Sequence, residues 1–301
     1  MSPVFLIGGS TASGKSALAL ELARAVGGEI VNADSMQLYR DLRIITARPG
    51  PEEESQAPHH LYGVADAADG WSVGRWLAAA TAALGEIAAR GRPAIVVGGT
   101  GLYLRALTHG LAEVPRTPAD VRARAGAAYD RLGEAAFRDE LRARDPAAEA
   151  RIYPGDRQRL CRAWEVYETT GRALSDWQAS TATARSSADF RLVLIEPPRA
   201  ELYAACDRRV LTMLASGAVE EARALLARSL DPDLPAMKAV GLRELGLYLS
   251  GQQPLEAAVA LAQQATRRYA KRQLTWFRGQ TPDWPRIVDP DSRAAWLTEQ
   301  A

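Results

Sequence analysis

Short apolar runs recur along the first hundred residues, each followed by a longer stretch in which apolar positions fall three and four apart. Val4–Ile7 is apolar throughout, a glycine-rich segment follows, and from about Ser16 to Val26 the period becomes helical. A run without alternation ahead of a 3.6-residue period predicts a strand covered on both faces, then a helix buried on one side. Gly27-Gly28 stops that helix, and Glu29–Asn32 predicts a second strand leading into Asp34-Ser35. Arg48 to Pro58, rich in Pro and Glu, predicts a loop. Ser72 predicts the N-cap of a helix reaching Arg90, with Gly91 as its stop, and Ala94–Val97 a third buried strand ending in Gly98-Gly99. Alternating strands and helices of this kind predict a doubly wound α/β sheet.

The alternation then stops. Asp120–Leu132, Glu134–Arg144 and Arg157–Thr170 carry amphipathic, arginine-bearing helical patterns separated by Pro or Gly. Ser180–Ala188, built of Ser, Thr and Ala apart from Arg185, predicts a linker. Arg191–Ile195 resumes the sheet, and helices are predicted to the end. The predicted organisation is a core formed by residues 1–113 and 189–301, interrupted by a helical insertion over residues 114–188. Two consecutive domains would leave Arg191–Ile195 as an orphan strand.

Composition changes this picture little. Hydrophobic residues at 47% and charged residues at 24% suit a globular chain and argue against wholesale disorder. No apolar run approaches the roughly 20 residues that span a bilayer, and the start lacks the charged region and cleavage site of a signal peptide. A cytoplasmic location is the expectation. Cys161 and Cys206 lack metal-binding spacing and read as unpaired thiols, while His59, His60 and His109 are too scattered for zinc. The net charge of +1 advertises no global attraction to nucleic acid, so any such contact must be local. Only Lys15, Lys238 and Lys271 are lysines; the other basic residues are arginines.

The candidate chemistry starts at Gly9-Ser10-Thr11-Ala12-Ser13-Gly14-Lys15-Ser16, which fits G-x-x-x-x-G-K-[ST] without a mismatch. Its glycines let successive N–H groups turn toward phosphate oxygens. Lys15 adds charge, the helix start a favourable dipole, and the Ser16 hydroxyl a contact for Mg2+. Nucleotide hydrolases with this loop usually hold magnesium with an acid ending a later buried strand, yet Ala94–Val97 runs into Gly98-Gly99-Thr100. The acidic residue stands after the second strand instead, as Asp34. An aspartate there can accept a proton from an attacking hydroxyl or amine, or simply cap the turn of Ser35–Gln37.

Together these segments resemble a known family. Gly9–Ser16 as GSTASGKS, Asp34–Tyr39 as DSMQLY, Thr46–Pro49 as TARP, Pro58–Leu61 as PHHL and Gly98–Tyr103 as GGTGLY are similar to the tRNA dimethylallyltransferases. So are Asp156–Arg162 (DRQRLCR), Lys238–Glu244 (KAVGLRE) and Arg267–Arg278 (RRYAKRQLTWFR), in the same order. Ser10 and Arg48 stand where that family usually has Pro and Lys, and Asp41–Thr46 departs from its glycine-rich GLDIGT stretch.

The resemblance implies a P-loop NTPase-like parallel-sheet core with an inserted all-helical tRNA-binding domain. It implies transfer of the dimethylallyl group of dimethylallyl diphosphate to N6 of the adenosine 3′ to the anticodon, in tRNAs reading codons that begin with U. By this likeness Gly9–Ser16 holds the diphosphate through Thr11 to Ser16, with Mg2+ on Ser16. Asp34 is the general base, Thr100 a hydroxyl near the diphosphate, and Lys15 and Arg209 cations for the leaving group. Ser35, Met36 and Gln37, with Asp34 and Thr100, read the extruded base. Arg122 and the Gln158, Arg159, Leu160, Cys161, Arg162 segment grip the tRNA, helped by Lys238, Gly241, Arg243, Arg267, Lys271 and Arg272. Helical spacing puts Arg159 and Arg162 on one face, where a solvated arginine face is the alternative. Trp276 and Phe277 read as core. The expected partners are the tRNA anticodon stem-loop and dimethylallyl diphosphate, with no membrane and no obligate protein partner, the chain being a monomer. An isopentenyltransferase of free AMP, ADP or ATP, or a P-loop small-molecule kinase, would share the loop and Asp34 but need no helical clamp.

Overall fold

A computed structural model describes residues 2–180 and 189–300. Six parallel strands form one sheet in the order β3-β2-β4-β1-β5-β6: β1 Val4–Gly9, β2 Glu29–Asn32, β3 His59–His60, β4 Ala94–Gly98, β5 Phe190–Ile195 and β6 Arg286–Ile287. Strand β1 sits centrally, with Val4 opposite Ala94 on one side and Phe190 on the other. Its side chains alternate between two cores. Leu6 joins Val31, Val96 and Leu194, while Phe5 and Ile7 join Ile30, Ile95 and Val193. Both faces are covered, which is why these strands read as continuous apolar runs.

The helices are α1 Lys15–Val26, α2 Pro51–Glu54, α3 Val73–Ala89, α4 Gly101–His109, α5 Ala119–Arg144, α6 Pro146–Arg151 and α7 Arg157–Thr170. They continue with α8 Leu174–Ala179, α9 Arg199–Ala215, α10 Ala218–Ala227, α11 Leu242–Leu249, α12 Leu255–Gln280 and α13 Pro290–Gln300. Helix α1 places Leu18, Ala19, Leu22 and Ala23 against one face of the sheet, and α13 adds Trp296. The other face carries α3, α4, α10, α11 and part of α12, through residues such as Trp76, Leu104, Leu225, Leu245 and Phe277. Ser72 caps α3 as its sequence suggested, its hydroxyl accepting the Arg75 N–H at 3.2 Å. Phe277 is buried and Trp276 packs against the same core.

Contacts divide the chain into two compact units, Met1–Leu107 with Ser187–Ala301, and Thr108–Ser186. In the second, Val121, Phe137, Leu141, Leu160 and Trp164 form a separate small core. Helix α5 is broken at Gly133, whose φ of 75° is non-helical, so the expected helices on either side of that glycine are both present. The proposed linker Ser180–Ala188 lies, apart from Ser180, outside the described residues.

Two expectations need correction. The segment after Arg191–Ile195 is not wholly helical, because Arg286–Ile287 adds β6 beside β5. The Arg48–Pro58 loop contains the single turn α2, and His59–His60 directly after it pairs with β2. Two-residue strands have no periodicity to read; backbone pairing alone defines them.

Candidate active site

Strand β1 ends in the glycine loop. Ala12 at φ 60° and Gly14 at φ 89° both adopt left-handed backbone, on either side of Ser13, which turns the chain into a concave nest. A Cβ at Gly9 would lie 2.6 Å from the Ser13 hydroxyl, so only glycine admits that close approach. The Ser10 and Ser13 hydroxyls are buried and have no hydrogen-bond partner among the described residues. Buried hydroxyls left unpaired cost free energy, and an anion seated in the nest would satisfy them. Lys15 is 7% exposed and its Nζ donates to the Ser10 carbonyl at 3.3 Å. Burial pulls its ammonium down to about 8, against an upward pull from Asp34. Thr11 is a partial exception in the cradle: its N–H is taken by the Gln273 Oε1 at 2.8 Å and is not free for a phosphate.

Strand β2 ends in Asn32, fully buried, whose side chain clamps the next turn. Its Oδ1 accepts the Asp34 N–H at 2.7 Å, and its Nδ2 donates to the Asp34 and Leu61 carbonyls at 3.0 Å each. Asp34 in turn accepts the Met36 N–H on Oδ1 at 3.0 Å. The capping and proton-accepting readings of Asp34 are therefore compatible: one carboxylate oxygen caps the turn, and Oδ2 has no hydrogen bond among the described residues.

Strand β4 brings the third piece. Ala33 N–H donates to the Val97 carbonyl and Thr100 N–H to the Ala33 carbonyl. A Cβ at Gly98 would lie 2.1 Å from the Ala33 backbone, one at Gly99 2.3 Å from the Gln273 Nε2, and one at Gly101 2.1 Å from the Trp276 ring. The three glycines of the GGTG segment are thus required by close approaches on both sides. Thr100 Oγ1 accepts the Ser35 N–H at 3.0 Å and lies 3.3 Å from the Ser35 hydroxyl, to which it donates. The Thr100 hydroxyl, expected near the diphosphate, is hydrogen-bonded to the Ser35 turn on the Asp34 side of the site.

Asp34, Ser35 and Met36 open onto a cavity of about 260 Å3 that meets the glycine loop at Thr11. Its walls are mostly apolar, from α9 to α12: Val210, Met213, Leu214, Leu245 and Val259 among them. Arg209 and Lys238 supply positive charge, Arg209 being anchored through Nη2 to the Thr46 carbonyl at 2.7 Å. Burial lowers the Arg209 guanidinium, and Asp34 partly restores it. Tyr269 lines the same cavity, its phenol pushed up first by burial and next by Asp34. A carboxylate and a half-buried guanidinium beside an apolar chamber can stabilise a leaving anion. Ser16, the expected metal contact, is exposed and lines a smaller pocket of about 170 Å3 with Glu53, His59 and Tyr62.

The remaining expected tRNA contacts sort by exposure. Gln37 is buried, and its amide nitrogen donates to the Thr46 and Ala47 carbonyls at 3.0 Å, bracing the wall beside the cavity. Leu160 and Cys161 are buried in the core of the helical unit, because a helix turns part of any continuous motif inward; neither offers a side chain to a ligand. On α7, Gln158 and Arg159 are exposed, Arg159 pairing with Asp156 at 2.9 Å, while Arg162 is tied to Thr117 and Glu165. Arg122 is exposed on α5. Arg243, Lys271 and Arg272 are exposed in the core unit, Arg267 is bound to Asp207, and Gly241 lines the cavity at φ 98°.

Sequence reading missed Asn32, Gln273, Glu221 and Tyr269. Asn32 and Gln273 had a signal. Asn is disfavoured in strands yet ends β2, and Gln273 falls in phase with buried Ala262, Thr266, Ala270 and Phe277 along α12. Glu221 had none; its carboxylate accepts the N–H groups of Arg43, Ile44 and Ile45 at 2.8–2.9 Å, across most of the sequence.

A model of the IPP transferase family matches residues 37–280, and one of the isopentenyl transferases matches residues 2–62. A tRNA dimethylallyltransferase of Phenylobacterium zucineum is 64% identical over 293 residues, covering 97% of this chain and 95% of the relative. One from a Caulobacter species is 58% identical over 94% of this chain and 92% of its own. Among solved structures, the full-length tRNA isopentenylpyrophosphate transferase of Bacillus halodurans matches with a TM-score of 0.70 and 34% identity, over 100% of this chain and 98% of the other. A eukaryotic dimethylallyltransferase acting on tRNA matches with a TM-score of 0.82 and 26% identity, over 99% of this chain and 78% of the other.

Proposed function

The chain belongs to the IPP transferase family, and from that premise we propose that it is a tRNA dimethylallyltransferase, moving the dimethylallyl group of dimethylallyl diphosphate onto N6 of the adenosine 3′ to the anticodon, position 37. The observation that carries this reading is the chamber itself: Asp34 and Arg209 face one apolar cavity that meets the phosphate nest at Thr11. Such a chamber suits a short prenyl group with its charged end in the nest. A purely polar nucleotide would gain little from Val210, Met213 and Leu214.

The adenine amine attacks the allylic carbon, a carbon–nitrogen bond forms, and the carbon–oxygen bond to diphosphate breaks. The amine proton passes to Asp34 Oδ2, and the electron pair of the broken bond leaves with the diphosphate. Lys15, Arg209 and the free amides of the nest neutralise that growing charge, which makes diphosphate a competent leaving group. Adenine N6 is weakly nucleophilic because its lone pair is delocalised, so positioning by the Asn32-clamped turn matters more than basicity. The base must also leave its stack, at about a few kcal/mol, least in a single-stranded loop.

The donor set fits Mg2+ held mainly by the substrate: Ser16 offers one hydroxyl, and no group of three or more His, Cys, Asp or Glu gathers among the described residues. Ser16, diphosphate oxygens and water would hold it, and it would add charge neutralisation at the leaving group. The exposed Arg122, Gln158 and Arg159 of the helical unit support its reading as the tRNA-gripping element. We place the enzyme in the cytoplasm as a monomer; among the described residues no helix is long and apolar enough to cross a membrane.

The test offers labelled dimethylallyl diphosphate with unmodified tRNA, with free AMP, or with ATP plus candidate alcohols. Label entering tRNA supports the proposal. Label entering only AMP, or phosphate moving from ATP to an alcohol, overturns it.

A further inference from the structure

Resting on that assignment of a donor side and an acceptor side, we propose that Gln273 is a positioning residue that sets the spacing between the diphosphate cradle and the proton-accepting carboxylate. Gln273 is 6% exposed on α12 and stands between the two halves of the site. Its Oε1 accepts the Thr11 N–H at 2.8 Å, and its Nε2 donates to the Gly99 carbonyl at 2.9 Å. The orientation of the carboxamide is forced, since Thr11 N–H can only donate and the Gly99 carbonyl only accept.

From Gly99 the linkage runs on without a gap. Thr100 follows it, Thr100 Oγ1 holds the Ser35 N–H at 3.0 Å, and Ser35 follows Asp34. Among the described residues no other side chain bonds both the glycine loop and the turn after β4. The chain itself accommodates this bridge: any Cβ at Gly99 would lie 2.3 Å from the Gln273 Nε2. Beyond the point where β1 and β4 stop pairing at Gly8 and Gly98, this one amide side chain ties the loop that holds the leaving group to the turn that supports the base.

A carboxylate at this position could still accept from Thr11, but its second oxygen would face the Gly99 carbonyl with no hydrogen between them. Only the protonated acid reproduces both bonds. Burial favours that neutral form, so Gln273→Glu should behave like the natural residue in acid and fail as pH rises. Gln273→Met keeps the length and removes both bonds at every pH.

The experiment measures the single-turnover transfer rate at saturating dimethylallyl diphosphate and unmodified tRNA, from about pH 6 to about pH 8.5. Rates are expressed as the ratio of variant to wild type. Lys15 on α1, Asp34 after β2, Cys206 and Arg209 on α9 and Tyr269 on α12 titrate or carry charge in both proteins, and the ratio removes their common effect. We expect the Glu ratio to fall about tenfold per pH unit once its carboxyl ionises. The Met variant should lose about a hundredfold in rate throughout, the order expected for a misplacement near 1 Å. Its Kd for dimethylallyl diphosphate alone and for tRNA alone should stay within about threefold of wild type. A Glu ratio flat with pH, or a Met loss that appears in either Kd, overturns the proposal; if the Met variant does not fold, the Glu ratio decides. Wild type that transfers no label overturns the function itself, whereas active wild type with a flat ratio overturns only the role of Gln273.

Discussion

Replacing Asp34 by Asn separates its two roles. The asparagine Oδ1 can still accept the Met36 N–H that Asp34 accepts at 3.0 Å, and Asn32 still holds the backbone through bonds of 2.7 and 3.0 Å. The turn should therefore stay in place. Had the cap been lost, the cost would be one hydrogen bond, about 0.5–1.5 kcal/mol of stability. The chemical loss is larger: an amide N–H2 now occupies the place of Oδ2, donating where the adenine amine must also donate. General-base catalysis contributes about 10²–10⁴-fold, or roughly 2.7–5.5 kcal/mol of barrier. Binding should move the other way, because Lys15 and Arg209 both feel the Asp34 charge and lose that compensation. Asp34→Asn should thus bind dimethylallyl diphosphate as tightly as wild type or tighter, melt at nearly the same temperature, and transfer about a hundredfold slower or worse. Single-turnover rates, the donor Kd and a thermal melt check all three. A rate within about threefold of wild type would refute the base assignment.

Three further outcomes follow from the same geometry. Burial holds the Lys15 ammonium at about 8, so donor affinity should be full below that pH and fall as pH rises through it, with Lys15→Ala flat over the range; parallel profiles for the two proteins would contradict this. Glu221→Gln leaves one acceptor for three N–H donors and opposes one of them with an amide. It should cost about 2–4 kcal/mol in denaturant unfolding and expose the Arg43–Ile45 amides to hydrogen exchange, unchanged protection being the refuting result. Glu29, nearly buried and bound to Arg90 and His60, is held down to about 2 from 4.5, chiefly by the Arg90 hydrogen bonds. A lowered folded pKa means its stabilisation is complete above 4.5 and lost as pH falls toward 2. Acid unfolding of Glu29→Gln should therefore be less steep in that window, and an identical profile would remove Glu29 from the account.

The central β strands, α1, the phosphate nest and Asp34 were legible because each is a local pattern: an unbroken apolar run, a 3.6 period, glycines at left-handed positions, an acid after a strand. What stayed hidden depends on residues far apart in the chain. Thr11 meets Gln273 and Arg43 meets Glu221 only after folding. Leu160 and Cys161 show a different limit. Their motif is continuous, but helical rotation buries two of its members, so a stretch read as a block overstates the surface it presents. Gln37 and Thr100 show what a motif does not: the Gln37 amide nitrogen holds the Thr46 and Ala47 carbonyls and the Thr100 hydroxyl holds the Ser35 N–H, bonds that form only in the folded chain. The apolar cavity wall from α9 to α12 carried no motif, since apolar helix faces look alike whether they meet a core or a ligand.

The destination of the label tests the cradle most directly. Wild-type enzyme, labelled dimethylallyl diphosphate and unmodified tRNA should give one labelled nucleoside on digestion, an adenosine carrying the prenyl group on N6 from position 37, with one diphosphate released per transfer. A tRNA with guanosine at that position should take up none. Label on that guanosine tRNA, or label elsewhere in the adenosine tRNA, would contradict a cradle that holds a leaving group opposite Asp34.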